Sequence, residues 1–131
     1  MTENEISKLV VDAAYKLHAR LGPGLLETVY EVILAHELRK AGLEVARQVP
    51  VPIAWEGVRF DEGFRADLIV NDRVILELKS VDTMHPVHSK QLLTYLRVTE
   101  LRLGLLINFG ERLIKNGIKR VVNGLPDDPA P

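Results

Sequence analysis

Cysteine is absent from this 131-residue chain, and that removes two architectures at once. No disulfide can staple the fold, and no thiolate can hold a metal, so any metal site must be built from carboxylate and imidazole groups. Aromatic residues are scarce at 5%, with a single tryptophan. No hydrophobic run approaches a membrane span, and the opening MTENEISKLV is acidic and lacks the apolar stretch of a secretory signal. A cytoplasmic protein with no membrane partner is the expectation. Charge of one sign is missing too: 17 Lys and Arg against 18 Asp and Glu leave a formal net charge of −1. The whole-molecule field therefore does not announce a polyanion as partner. The basic residues Arg97, Arg102, Arg112, Lys115, Lys119 and Arg120 do gather toward the C-terminus, where a solvated surface accounts for them.

What is present suffices for a core. An apolar content of 47% with 27% charged residues is ordinary for a globular protein, and the length suits one domain over 1–131. The tail from about 125 to 131 is expected to be disordered.

Residues 4–20 carry Ile6, Leu9, Val10, Ala13 and Leu17 on one helical face. Gly22-Pro23-Gly24 must break that helix. A second helix is expected over 25–41, stopped by Gly42. From Val45 to Trp55 the period becomes two, and Pro50 and Pro52 suit an edge strand. Trp55, on the apolar face of that strand, is expected to pack in the core. Glu56-Gly57 predicts a tight turn, followed by strands at 58–60, 65–70 and 74–80. A helix from 86 to 98 begins at Pro86. An apolar strand over 102–109 follows, with one further edge strand at 118–122. The fold class is α/β, a mixed sheet flanked by helices in the order α-α-β-β-β-β-α-β(-β). The crossover helix makes the strands at 74–80 and 102–109 parallel neighbours.

The stretch ADLIVNDRVILELKS, 66–80, is apolar enough for a buried strand yet carries Asp67, Glu77 and Lys79. Burying a charge costs several kcal/mol unless it is paired or bound, on the order given by desolvation in proteins. Alternation puts Glu77 and Lys79 on one face with Ile75, about 7 Å apart, while Val74, Leu76 and Leu78 face the other way. With Asp67 on the neighbouring strand, two carboxylates can share a divalent ion beside a lysine, and Mg²⁺ is commonly held by one or two carboxylates. An ion pair at a sheet edge, Glu77–Lys79 or Asp67–Lys79, would leave the same pattern.

Strand geometry separates the two. A two-residue loop at Asn71-Asp72 would set Asp67 opposite Leu76, on the wrong face. Bringing Asp67 level with Glu77 requires Val70 to face Val74, with a three-residue loop and a positive φ at Asn71 or Asp72, so an odd-length loop or a bulge is expected between Asp67 and Glu77.

Other polar residues have compatible spacing. Glu27 lies in the first turn of the second helix with Tyr30 three residues on. Gln91 and Tyr95 are one turn apart on the crossover helix and are expected to point toward Lys79. His88, one turn before Gln91, can offer a phosphate contact. His85 and His88 lack the third imidazole or thiol that zinc would need. His18 and His36 read as surface or helix-face residues.

With these residues assembled, the chain resembles the GxxExxY family of the PD-(D/E)xK nuclease superfamily. The naming motif stands as Gly24-Leu-Leu-Glu27-Thr-Val-Tyr30, and the superfamily motif as Asp67 followed by Glu77-Leu78-Lys79. Gln91-x-x-x-Tyr95 resembles the helix motif of RecB-like and Cas4-like members. The likeness runs from about residue 5 to 123, and Ala66 stands where the superfamily's name places proline.

The resemblance implies a restriction-endonuclease-like core and a Mg²⁺ or Mn²⁺ site. Glu27, Asp67 and Glu77 would be acidic ligands converging on one cleft, joined by the Leu78 carbonyl. Lys79 would be the catalytic lysine, with Gln91 and Tyr95 positioning substrate or bracing it. The implied activity is metal-dependent phosphodiester hydrolysis, with DNA a better match than RNA. The alternative is a non-catalytic nucleic-acid-binding or accessory protein that keeps the fold. A chain this short carries no separate recognition domain, so a homodimer or a partner is expected to supply specificity.

Overall fold

The computed structural model describes residues 1–126 of the chain. The tail expected to be disordered lies, beyond Pro126, outside the described residues. Helix α1, Glu3–Leu21, starts from a reciprocal cap: Thr2 Oγ1 accepts the Glu5 N–H and Glu5 Oε1 accepts the Thr2 N–H, at 3.1 and 3.0 Å. It buries Ile6, Val10, Ala14 and Leu17 along one face. Helix α2, Glu27–Lys40, buries Tyr30, Leu34, Ala35 and Leu38, and Gly42 ends its run at φ 89°.

A five-stranded sheet follows: β1 Val45–Trp55, β2 Val58–Val70, β3 Val74–Lys79, β4 Leu103–Asn108 and β5 Ile118–Val122, side by side in chain order. Helix α3, Val87–Thr99, crosses from β3 to β4, and these two strands pair in parallel while every other pair is antiparallel. β1 and β5 are the edges, which is where Pro50 and Pro52 are tolerated best. The mixed α/β sheet is the one expected from the residue pattern.

One strand fewer is present than the pattern suggested. The segments 58–60 and 65–70 are a single strand, β2. The intervening Asp61, Glu62 and Gly63 form a bulge against Pro52, since Val51 pairs with Phe64 but Ile53 pairs with Phe60. Gly63 is there for close approach rather than for a turn: a Cβ on it would lie 2.2 Å from Ile53 Cδ1.

The sheet has two unequal cores. Under α1 and α2, Leu68, Val70, Val74, Leu76, Leu78, Leu105 and Ile107 join the helical residues in one large cluster. Under α3, Ile75, Leu106 and Ala66 meet Leu92 and Leu96 in a small one. The outer half of the β1–β2 hairpin extends past both. Trp55 is therefore not a core residue: it sits beside the Glu56-Gly57 turn, 72% exposed. Period two continues along a hairpin after the helix that covers it has ended.

His18, expected on a surface or a helix face, lies on a buried face of α1, with Nε2 2.7 Å from the Glu111 carbonyl oxygen. The six basic residues between 97 and 120 are all exposed. No helix among the described residues is long and apolar enough to cross a membrane.

Candidate functional site

The site begins with a loop. Val70 faces Val74, and Asn71 and Asp72 both take the left-handed region, at φ 51° and 53°. The Arg73 N–H closes the turn on the Val70 carbonyl at 3.0 Å. Asparagine and aspartate tolerate this region better than other non-glycine residues. Asn71 is also tied to the edge of α2's exit: it exchanges two 2.8 Å hydrogen bonds with the Glu44 backbone. This three-residue loop sets Leu68 opposite Leu76 and so brings Asp67 level with Glu77.

At Asp67 the regular ladder between β2 and β3 stops, because Leu68–Leu76 is its last pair. Side chains take over. Asp67 Oδ2 accepts the Leu78 N–H at 2.9 Å, and Glu77 Oε1 accepts the Asp67 N–H at 3.3 Å. The two half-buried carboxylates thus lock together across the opened strands. Burial, then the Asp67 charge, push the Glu77 carboxyl up to about 8, against the Asp67 N–H and the Lys79 charge, which favour ionisation. Lys79 forms no ion pair among the described residues, so neutralising a strand-edge carboxylate is not its visible task.

Helix α3 supplies the opposite wall. Glu77, Lys79, His88, Gln91, Tyr95 and Leu106 line one cavity of about 50 Å³. The spacing 88, 91, 95 puts three polar tips on one helical stripe, while Leu92 and Leu96 carry the packing. The Tyr95 ring stacks on Phe64 of β2 at 3.9 Å, and its hydroxyl is raised above the ordinary range by burial and by the charges of Glu77 and Asp67. His88 Nδ1 is buried without a hydrogen-bond partner among the described residues. Roomier clefts of about 370 and 600 Å³, around Arg73 and Arg102 and around Lys8 and Arg120, contain no comparable constellation.

The Gly24–Tyr30 motif behaves differently. Tyr30 is fully buried, stacked on Phe109 at 4.5 Å, and its hydroxyl donates to the Gly22 carbonyl at 2.6 Å while accepting the Leu25 N–H at 3.2 Å. It pins the loop in which Gly24 adopts φ 105°. Ser80 Oγ donates to the Leu25 carbonyl at 2.6 Å, docking this loop at the end of β3 next to Lys79. Glu27 is exposed, and among the described residues no three Asp, Glu or His groups gather closely enough to hold a metal. The structure therefore joins Asp67 to Glu77 but leaves Glu27 outside the pair. One turn along α2, Glu31 is 5% exposed and grips Arg47 and Gln48 instead. Nothing in the residue pattern distinguished Glu31 from a solvent-facing helix glutamate.

The donor set suits a hard divalent cation: two adjacent carboxylates and room for water, with one carboxyl raised by burial and by its neighbour's charge. Comparison with known proteins bears on the same point. A search of curated proteins finds no match. The crystal structure of SSO0001 superposes with a TM-score of 0.54 at 21% identity, over 95% of this chain and 60% of that one. The chain thus spans less than two thirds of that protein, and the likeness is one of fold. The family model described as PD-(D/E)XK nuclease superfamily matches residues 4–121, and the chain belongs to that superfamily.

Proposed function

We propose that the protein is a metal-dependent nuclease that hydrolyses phosphodiester bonds in DNA, using Mg²⁺ or Mn²⁺. The supporting observation is the joining of Asp67 and Glu77 at the rim of a cavity that also receives Lys79, Gln91, Tyr95 and His88. Asp67, Glu77 and the Leu78 carbonyl would hold the cation, and Glu27 would complete the set from the N-terminus of α2. When bound, such an ion supplies Lewis-acid polarisation of a phosphoryl oxygen and lowers the pKa of a water. The Lys79 ammonium orients the attacking water and stabilises the charge that grows on the phosphorus oxygens. His88 offers its unpartnered Nδ1 to a phosphate oxygen. Gln91 and Tyr95 fix the position of the scissile group. A cavity of about 50 Å³ admits an ion or a water but no nucleotide, so the polymer must lie across its mouth.

Within the superfamily, the Gly24–Tyr30 and Gln91–Tyr95 patterns favour the GxxExxY group and a RecB-like or Cas4-like relationship. Cytoplasmic location and homodimeric recognition of substrate belong to the same proposal. One observation favours the accessory-protein reading: Glu27 stands apart from the two paired carboxylates. A single experiment decides between them. Single- and double-stranded DNA and RNA are incubated with wild type and Lys79→Ala across a Mg²⁺ and Mn²⁺ titration. Metal-dependent cleavage lost in Lys79→Ala supports the nuclease. Binding without cleavage at any metal concentration supports the accessory protein.

A further inference from the structure

Gln48 lies in the middle of β1 with φ 50°, the one non-glycine residue inside a described strand to enter the left-handed region. That conformation costs roughly 1–2 kcal/mol for an L-residue, and no turn here requires it. Its effect is to reverse the alternation of the strand. Arg47 faces α2, where it binds Glu31, and its partner Leu68 packs in the large core. Two residues on, Val49 and its partner Ala66 pack in the small core under α3 instead. Between these pairs stand Gln48 and Asp67, opposite each other where both strands change face.

The Gln48 side chain uses this position to bridge two carboxylates. Its Nε2 donates to Glu31 Oε1 at 2.6 Å and to Asp67 Oδ1 at 3.4 Å. Glu31 cannot swing away, since its other oxygen takes the Arg47 Nε and Nη2 at 3.2 and 2.9 Å. A primary amide has two hydrogens and no charge, so it can donate to both carboxylates without cancelling either. Asp67 is then held at both oxygens, Oδ1 by Gln48 and Oδ2 by the Leu78 N–H, and each oxygen keeps a second lone pair for a cation.

We propose that Gln48 is a positioning residue: anchored on Glu31, its amide fixes the orientation in which Asp67 presents its oxygens beside Glu77. This rests on the reading of Asp67 as a metal ligand. The strained backbone is the means by which an edge strand reaches inward to that ligand.

The test is Mn²⁺ affinity, measured by electron paramagnetic resonance of free ion, for wild type, Gln48→Gly, Gln48→Asn and Asp67→Asn. Glycine accepts the left-handed conformation and removes the amide, and asparagine accepts it with an amide too short to span. Loss of a group that orients a metal ligand commonly costs about 10- to 100-fold in affinity, and both Gln48 variants should show it. A lowered metal-free melting temperature with wild-type Mn²⁺ affinity would mark a purely structural role, exercised through the Glu31 bond alone. Wild-type affinity in both Gln48 variants, with binding lost in Asp67→Asn, overturns the positioning role and leaves the metal site standing. Wild-type affinity in Asp67→Asn overturns the metal site itself, and the role of Gln48 with it.

Discussion

On one face of β3, Val74, Leu76 and Leu78 are sealed into a cluster of nineteen buried apolar residues under α1 and α2. On the other, Ile75 alone joins a cluster of five under α3, while Glu77 and Lys79 stay half-buried beside a cavity. The strand is six residues long, yet its faces serve different ends. The large core carries the folding free energy, and that surplus lets the smaller face keep groups whose burial is unfavourable. Charge is tolerated on β3 because the opposite face supports the strand.

The sharpest way to break this comparison is to swap damage between the faces. Lys79→Ala should cut metal-dependent cleavage by about 10²- to 10⁴-fold, the range for losing a positioned charge-stabilising or proton-moving group. Its melting temperature should hardly move, since Lys79 forms no ion pair among the described residues. Leu76→Ala, three residues away, should cost roughly 2–5 kcal/mol of stability by leaving a cavity in a closed core. Denaturant unfolding of both variants checks the pair. A Lys79→Ala protein as destabilised as Leu76→Ala would mean that the charged face is structural after all.

A smaller effect comes from Glu77. Folded, its carboxyl is raised to about 8 by burial and by Asp67; unfolded, it titrates near 4.5. Between those values the folded protein retains a proton that the unfolded chain has lost, so metal-free stability falls as pH rises through that window. The slope contributed is at most about 1.4 kcal/mol per pH unit. Glu77→Gln should flatten it, with melts from pH 5 to 8 in a chelator as the measurement. An unchanged slope in Glu77→Gln would show that another group carries the titration.

Much of this was legible in the residues because it depends on period. Alternation in VILELK sorted the two faces of β3, and parity demanded an odd-length loop or a bulge, which the three-residue loop with positive φ at Asn71 and Asp72 supplies. The paired prolines marked β1 as an edge. What escaped was whatever breaks period. Nothing in ARQVPV announces that Gln48 turns left-handed, so the reach from Glu31 through Gln48 to Asp67 was invisible. The segments 58–60 and 65–70 read as two strands, because nothing in DEG shows that the strand continues through a bulge with Gly63 against Ile53. Glu27 was expected to join Asp67 and Glu77 because the resemblance implies it, but Glu27 belongs to a different motif, and among the described residues no three such groups gather.

Trp55 gives the smallest expected effect and the finest test of where the small face ends. Its strand pattern continues that of Val49 and Val51, yet α3 does not extend over it, and Trp55, Val58 and Phe60 remain 72%, 57% and 64% exposed. Burial, not alternation, sets the hydrophobic contribution, so a side chain left in water adds little. Trp55→Ser should therefore change stability by no more than about 0.5 kcal/mol, the usual range for a surface substitution. As the single tryptophan, Trp55 also reports on itself, and its fluorescence should be that of a solvated indole. A loss near 2 kcal/mol with blue-shifted emission would have one physical meaning. The hairpin tip would then be covered in solution, by a second copy of the chain or by another partner, and a third apolar surface would have to be added to the two faces of β3.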